Sequence, residues 1–149
     1  MVKGFQDLEV WKKAHRVVLD VYRLTIQFPR TEQFGVISQL RRAAYSIPAN
    51  IAEGSGRRST KELLHFLALS NGSLEELRYF LLLSHDLRYL SPSDYERLQS
   101  DLKSIAEMLE ALAQSLRRRL ASPSVGAVSS SRDTDHGTRV TRDQSGVAH

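Results

Sequence analysis

The chain has 149 residues, a formal net charge of +4 and no cysteine. This length fits one domain with its own hydrophobic core, and the absence of cysteine excludes a disulfide framework and a thiolate metal site. The sequence shows neither the apolar core of a signal peptide nor an apolar run of membrane-spanning length, so we expect a cytoplasmic protein without a membrane partner.

The excess of positive charge belongs to residues 1–121, because residues 122–149 contain equal numbers of basic and acidic side chains. An excess this small is typical of an ordinary solvated surface with mixed charge. It also fits a surface that binds nucleic acid. Charge alone therefore leaves both interpretations open.

Four segments with helical periodicity follow one another, and the first lies near the N-terminus. Asp7 can cap its opening turn, and Pro29 disfavours helix in the residue before it, so we expect a helix from Asp7 to Phe28. The turn that follows should comprise residues 29–33. The expected apolar face consists of Leu8, Trp11, His15, Val18, Tyr22 and Thr25, widened by Ala14, Val17, Val21 and Leu24.

The second segment runs from Phe34 to Glu53 and contains a proline. Pro48 removes a backbone hydrogen bond and clashes with the carbonyl group four residues before it, which predicts a kink. The glycine-rich residues 54–56 are expected to cap this helix and to form a flexible link to the next one. The expected apolar face contains Phe34, Ile37, Leu40, Ala44, Ile47 and Ile51.

Capping signals mark the third and fourth segments. Ser59 and Glu62 have the spacing of a capping box, and Ser91 followed by Pro92 is a typical helix start. The fourth helix should continue to Leu120. The third has two apolar stripes, which indicates burial on two sides and a partner subunit. One stripe comprises Leu63, Leu67, Ser70, Leu74, Leu77 and Leu81, and the other Phe66, Leu69, Ser73, Phe80, Leu83 and Leu87.

Composition changes abruptly after the fourth segment. Residues 122–149 contain no aromatic residue and no periodicity, so they cannot bury enough apolar surface to offset the chain entropy lost on ordering. We therefore divide the chain into a domain of residues 1–121 and a disordered tail of residues 122–149. Four helices with short connections predict an all-α, antiparallel, up-down-up-down four-helix bundle.

Residues with catalytic or metal-binding chemistry form no recognisable site in the sequence. Glu75 and Glu76 are adjacent on a helix and point in different directions, and no Gly-x-Ser-x-Gly elbow occurs. Residues 54–58 lack the ending of a phosphate-binding P-loop, although an anion site at the following helix start stays open. We expect neither an enzyme nor a cofactor. No metal-ligand spacing links the histidines, which are His15, His65, His85, His136 and His149.

A set of basic side chains is the best candidate for a binding surface. In the predicted bundle, the end of the second helix, the start of the third and the end of the fourth share one pole, where their cations can gather. The alternative is that the terminal arginines complement the helix dipole and the others are solvated. The candidate nucleic-acid-binding residues are Arg41, Arg42, Arg57, Arg58, Lys61, Arg117, Arg118 and Arg119.

Residues 38–54, with the sequence SQLRRAAYSIPANIAEG, resemble the signature of the four-helix bundle proteins also called 23S ribosomal RNA intervening-sequence proteins. The similarity extends from about Phe5 to Leu120. It includes FQDLEVW near the N-terminus, the first turn, and GSLEEL in the third helix. Residues 122–149 resemble nothing in this family.

The resemblance implies a small bundle that assembles as a homopentamer, often encoded within intervening sequences of bacterial 23S ribosomal RNA genes. It also implies distant kinship with the accessory protein of diversity-generating retroelements, a basic pentamer that binds a reverse transcriptase and nucleic acid. Neither implication assigns a catalytic residue.

The signature residues have an architectural interpretation. Pro48 would bend the second helix, and Asn50 would bond backbone groups that the proline loosens. Glu53, beside Gly54, would pair with an arginine such as Arg41 or Arg57. A ligand or partner contact at the kink is the alternative.

Two functional hypotheses follow. The first is a non-enzymatic scaffold that binds RNA or DNA, in which a homo-oligomer multiplies the small charge of each chain. The second is an adaptor that binds only protein, such as an accessory subunit of a reverse transcriptase. A gene within a ribosomal RNA locus would favour the first, and a gene beside a reverse transcriptase would favour the second.

Overall fold

Four α-helices make up most of the described chain. The computed structural model describes residues 4–122, and these residues contain no β-strand. The helices are α1 (Glu9–Thr25), α2 (Val36–Ser55), α3 (Thr60–Asp86) and α4 (Pro92–Ala121), with single 3-10 turns at Phe5–Asp7 and Arg30–Glu32. The all-α class predicted from the sequence is confirmed. The predicted disordered tail lies outside the described residues, apart from Ser122.

Each helix packs on two of the others, because α1 and α3 both contact α2 and α4. These contacts enclose one apolar core, which hydrophobic burial stabilises. Within residues 4–122, no helix is long and apolar enough to span a membrane. The largest fully buried side chains are Val17, Val21, Leu40, Ile47, Ile51, Leu74, Leu77, Leu81, Leu98, Leu102 and Ile105.

Helix α1 differs from its sequence prediction at both ends. Asp7 lies in the preceding 3-10 turn, and α1 begins after Leu8, whose apolar side chain makes no cap hydrogen bond. The helix ends at Thr25 because the N–H groups of Gln27 and Phe28 form tighter, three-residue hydrogen bonds. Its buried face is also rotated from the predicted one, and comprises Val10, Ala14, Val17, Val18, Val21 and Thr25.

Helix α2 continues without interruption through Pro48. Pro48 has no N–H to offer the carbonyl of Ala44. Asn50 does not replace this bond, because its Nδ2 donates to the carbonyl of Ser46 at 2.8 Å. The predicted hydrogen bond from Asn50 to the backbone near the proline therefore forms, but its acceptor is not the carbonyl that Pro48 leaves without an N–H. The buried Ser70 of α3 donates to the carbonyl of Ile47 at 2.9 Å, so the backbone next to the proline is hydrogen-bonded across two helices.

Gly54 has a different role from the predicted cap. The predicted glycine cap forms at Gly56, but Gly54 and Ser55 are both helical, so the expected flexible link at residues 54–56 is wrong. Gly54 is buried, and a Cβ atom added to it would lie 2.7 Å from the Cβ of Phe66 and 3.0 Å from the Cδ1 of Leu63. The missing side chain therefore permits the close approach of α2 and α3.

Both predicted capping signals form in the structure. The Ser59 Oγ accepts from the N–H of Glu62 at 3.1 Å, and the Ser91 Oγ accepts from the N–H of Asp94 at 3.2 Å. The first apolar stripe of α3 is buried except at its start. The second stripe is only partly covered, with Leu69 44% and Leu87 45% exposed.

The connection between α3 and α4 contains a left-handed residue that is not glycine. Arg88 has φ 63°, and its N–H bonds to the carbonyl of His85 at 2.9 Å. The N–H of Tyr89 bonds to the carbonyl of Ser84 at 2.9 Å. These two bonds form a Schellman motif in which arginine occupies the position that glycine favours.

Replacing Arg88 by glycine should raise the free energy of unfolding by about 1 kcal/mol, because glycine adopts positive φ without steric strain. Urea denaturation measures the change. Arg30→Gly is the control, since it adds chain entropy to the unfolded state without relieving strain and should destabilise. A loss of stability in both variants would contradict this interpretation of Arg88.

An ion-pair cluster joins α1 to α4. Asp20 accepts hydrogen bonds from Arg23 at 3.0 Å and from Arg97 at 2.8 Å, and its side chain is 27% exposed. Burial acts to raise the pKa of Asp20, but the hydrogen bonds and charges of the two arginines outweigh it and hold the pKa below its ordinary value. The hydrogen bond to Asp20 likewise raises the pKa of Arg97.

The Asp20→Asn substitution should lower the free energy of unfolding by about 1 kcal/mol at neutral pH. A carboxyl group with a depressed folded-state pKa stabilises fully above its unfolded-state pKa of about 3.9, and that contribution is lost as pH falls through the folded-state pKa. The difference from the wild type should therefore be constant near neutrality and shrink below about pH 4.

Urea unfolding at several pH values measures this difference. Glu107→Gln is a suitable control, because Glu107 is exposed and makes no side-chain bond within residues 4–122. If the difference in free energy of unfolding between Asp20→Asn and the wild type persisted unchanged in strong acid, it would contradict the lowered pKa of Asp20.

Candidate nucleic-acid interface

The end of α2, the start of α3 and the end of α4 meet around one cavity. Ser55 from α2, Leu63 from α3 and Arg119 from α4 all line it. Cations on these segments therefore share one end of the molecule, which we call the basic end. Its members are Arg57, Arg58, Lys61, Arg117, Arg118 and Arg119.

Two of these six cations are engaged with acidic side chains. Arg57 donates to the Oε1 of Glu53 at 2.9 Å, and its guanidinium lies 5.0 Å from the centre of the Phe66 ring. Of the two partners that the sequence offered for Glu53, Arg41 and Arg57, the structure pairs it with Arg57, four residues along the chain. Arg117 donates to the Oε1 of Glu110 at 3.2 Å. The charges of Arg57 and Arg117 are therefore partly neutralised within the chain.

The other four cations have no acidic partner in the part of the chain that the structure describes. Arg58, Lys61, Arg118 and Arg119 are exposed, and their side chains form no ion pair with residues 4–122. Glu53 pairs with Arg57, whereas Glu62 accepts only from the neutral hydroxyl of Ser59 at 3.1 Å and keeps its charge. The exposed cations outnumber this carboxylate, so the basic end carries net positive charge within residues 4–122.

Arg41 and Arg42 lie apart from the basic end. Arg41 donates to the Oγ1 of Thr25 at 3.0 Å, and its guanidinium lies 4.6 Å from the centre of the Tyr22 ring. Arg42 bonds to Gln39 and forms an ion pair with Glu76. Along the axis of α2, Arg41 lies roughly 18 Å from Glu53. The sequence grouped these two arginines with the other candidates, whereas the structure gives them contacts between helices.

The opposite end of the molecule also carries exposed cations. Here the Phe28 ring lies 5.6 Å from the Tyr89 ring, and the Tyr89 hydroxyl donates to the Oε1 of Glu32 at 3.4 Å. Burial and the Glu32 carboxylate raise the pKa of Tyr89. Arg30 and Arg88 are exposed at these connections, and neither forms an ion pair with residues 4–122. We call this region the distal end.

The described residues hold no group of three or more His, Cys, Asp or Glu side chains with the geometry of a metal site. In the same part of the chain, every buried side-chain nitrogen or oxygen has a hydrogen-bond partner. The chemistry that the basic end offers is therefore positive charge on long, exposed side chains. Such side chains bind phosphate groups through charge and hydrogen bonds.

The fold and the surface charge together define a class of protein. It is a four-helix protein with exposed basic side chains concentrated where the end of α2, the start of α3 and the end of α4 meet. The family model described as 23S rRNA-intervening sequence protein matches residues 6–111. The chain therefore belongs to the 23S rRNA-intervening sequence protein family.

A solved structure supports the same fold. The crystal structure of a protein of unknown function from the S23 ribosomal protein family of Bacteroides thetaiotaomicron superposes with a TM-score of 0.65. Its sequence is 22% identical, and the match covers 70% of this chain and 95% of that chain. At this identity the likeness concerns the fold alone. No curated protein matches the chain.

Proposed function

We propose that this protein is a non-enzymatic, oligomeric scaffold that binds RNA or DNA through its basic end. The observation that carries the proposal is a set of four exposed cations that have no acidic partner within residues 4–122, namely Arg58, Lys61, Arg118 and Arg119. The family description refers to a ribosomal RNA intervening sequence, which makes RNA the first nucleic acid to test. The proposed place of action is the cytoplasm.

The scaffold we propose is an antiparallel, up-down-up-down bundle assembled as a cyclic homo-oligomer, with five subunits as the family resemblance implies. The order of contacts between α1 and α4 supports opposite helix directions, since Lys13 bonds to Ser104 and Asp20 to Arg97. The partly exposed second stripe of α3 supports an interface between subunits, because contact would remove its leucines from water. A ring of subunits would multiply the charge of the basic end.

Phosphate neutralisation would supply most of the binding free energy. Counterion release then makes the affinity strongly dependent on salt, while sequence preference stays weak because no base contact is required. With about four phosphate contacts per subunit, the affinity of one subunit between about 50 and 200 mM KCl should fall roughly fiftyfold for single-stranded RNA and roughly 150-fold for duplex DNA.

Fluorescence anisotropy with labelled single-stranded RNA and duplex DNA of unrelated sequences tests this proposal. The expected result is binding to every sequence with a steep, linear dependence of log affinity on log salt concentration. Absence of salt-dependent binding at low ionic strength would overturn it.

A protein-binding adaptor, such as an accessory subunit of a reverse transcriptase, is the second candidate. It is favoured by the exposed apolar side chains of α3, which include Leu69, Leu82 and Leu87. Purification of the native assembly under mild conditions distinguishes the two candidates. A stoichiometric protein partner without nucleic acid would favour the adaptor, and co-purified nucleic acid would favour the scaffold.

A further inference from the structure

The cavity at the basic end has an apolar interior. Its volume is about 320 Å³, which is within the range of small-molecule sites. Ser55, Ser115 and Arg119 are its polar residues. The remaining lining comes from the turn before α1 and from α2, α3 and α4, and consists of Leu8, Ile51, Leu63, Leu67, Leu112 and Leu116.

Burial differs along the wall of this cavity. Ile51, Leu67 and Leu116 are buried and form its floor, whereas Leu8 and Leu63 are only partly covered. Two larger depressions, of about 620 and 650 Å³, have more polar linings that include charged residues such as Glu75 and Asp86. The cavity between the helix ends is therefore the better site for an apolar group.

The polar side chains of the cavity favour an anion. Arg119 has no acidic partner within residues 4–122, and a guanidinium can bind a carboxylate through two parallel hydrogen bonds. The Ser115 side chain makes no hydrogen bond in that part of the chain and can donate its proton. Ser55 already donates to the carbonyl of Ile51 at 2.8 Å, so it can only accept.

We infer that this cavity binds an amphipathic carboxylate, a linear acyl chain whose apolar part enters the leucine-lined interior and whose carboxylate meets Arg119 and Ser115. One water molecule occupies roughly 30 Å³ of liquid, and a methylene group is of about the same size, so the cavity accommodates a chain of about ten carbons. The site goes beyond the proposed nucleic-acid binding, because it rests on the apolar cavity, which nucleic-acid binding does not use; Arg119 is the one residue that the two proposals share.

Calorimetric titration of the full chain with submicellar decanoate tests this site. The expected result is saturable binding of one decanoate per chain. Octanoate should bind roughly tenfold more weakly, because each buried methylene contributes to affinity and two are removed. Decanol should also bind more weakly than decanoate, since it has no charge to meet Arg119.

Three variants locate the bound molecule. Arg119→Gln should weaken decanoate binding at least fivefold and have little effect on decanol. Ser115→Trp should abolish binding, because the exposed position of Ser115 lets the ring cover the cavity without disturbing the core. Lys103→Gln is the control, since Lys103 is an exposed cation of α4 outside the cavity, and it should bind decanoate as the wild type does.

Circular dichroism establishes that each variant keeps its helix content. Uptake that never saturates, or an absence of binding at millimolar decanoate, would overturn the inference. So would equal losses in Arg119→Gln and Lys103→Gln, because they would indicate general attraction to a positive protein.

Discussion

Replacing Gly54 by alanine is expected to lower the free energy of unfolding by about 2 kcal/mol. The added Cβ atom would lie 2.7 Å from the Cβ of Phe66, which is bonded directly to its own backbone and cannot rotate away. Helices α2 and α3 would therefore have to separate. The steric cost of this separation should exceed the stabilisation of about 1 kcal/mol that alanine normally gives relative to glycine inside a helix.

The matched control for Gly54 is Gly72 in the middle of α3. A Cβ atom added to Gly72 meets nothing within 4 Å, so Gly72→Ala should raise the free energy of unfolding by up to about 1 kcal/mol. Urea denaturation of both variants gives the comparison. Equal stabilisation by the two substitutions would show that α2 and α3 do not approach each other so closely at Gly54.

Replacing Ser70 by leucine should cost about 3 kcal/mol, because the buried Ser70 faces the backbone of α2. Its Oγ lies 2.9 Å from the carbonyl oxygen of Ile47, which leaves no room for a branched side chain. Ser70→Ala should cost only about 1 kcal/mol, the usual contribution of one hydrogen bond.

Asn71 provides the control for Ser70 on the same helix. Its side chain is exposed and lies in neither apolar stripe, so Asn71→Leu should change the free energy of unfolding by no more than about 0.5 kcal/mol. Thermal or urea unfolding measures all three variants. Similar losses for Ser70→Leu and Asn71→Leu would contradict the tight contact between α2 and α3.

Local signals in the sequence predicted the helices well. Ser59 and Ser91 cap their helices as expected because a cap depends on residues within one turn. The pairing of Glu53 with Arg57 was also predictable, since residues four apart lie on one helix face. The start of α1 was mispredicted because a 3-10 turn around Asp7 competes with the longer helix.

Features that depend on other helices were not visible in the sequence. A glycine near a helix end indicates a cap, whereas the position of Phe66 on α3 gives Gly54 its packing role. Likewise, the sequence placed Arg42 along the second helix and away from the pole, but it could not show that Arg42 pairs with Glu76 on another helix. The cavity beside Arg119 arises only where the helix ends meet, so periodicity along one segment cannot reveal it.

The most direct test of the proposed binding surface compares charge reversal at the two ends of the molecule. One variant combines Arg58→Glu with Lys61→Glu at the basic end, and the other combines Arg30→Glu with Arg88→Glu at the distal end. All four side chains are exposed, and both variants change the net charge by the same amount. Circular dichroism and light scattering establish that both keep the fold and the assembly size.

Anisotropy titrations with labelled RNA over a range of salt concentrations then decide the question. The basic-end variant should lose at least roughly thirtyfold in affinity in low salt. The slope of its log affinity against log salt concentration should decrease by the contribution of about two phosphate contacts. The distal-end variant should lose less than about threefold. Equal losses in the two variants would contradict the account, because net charge rather than the basic end would then govern binding.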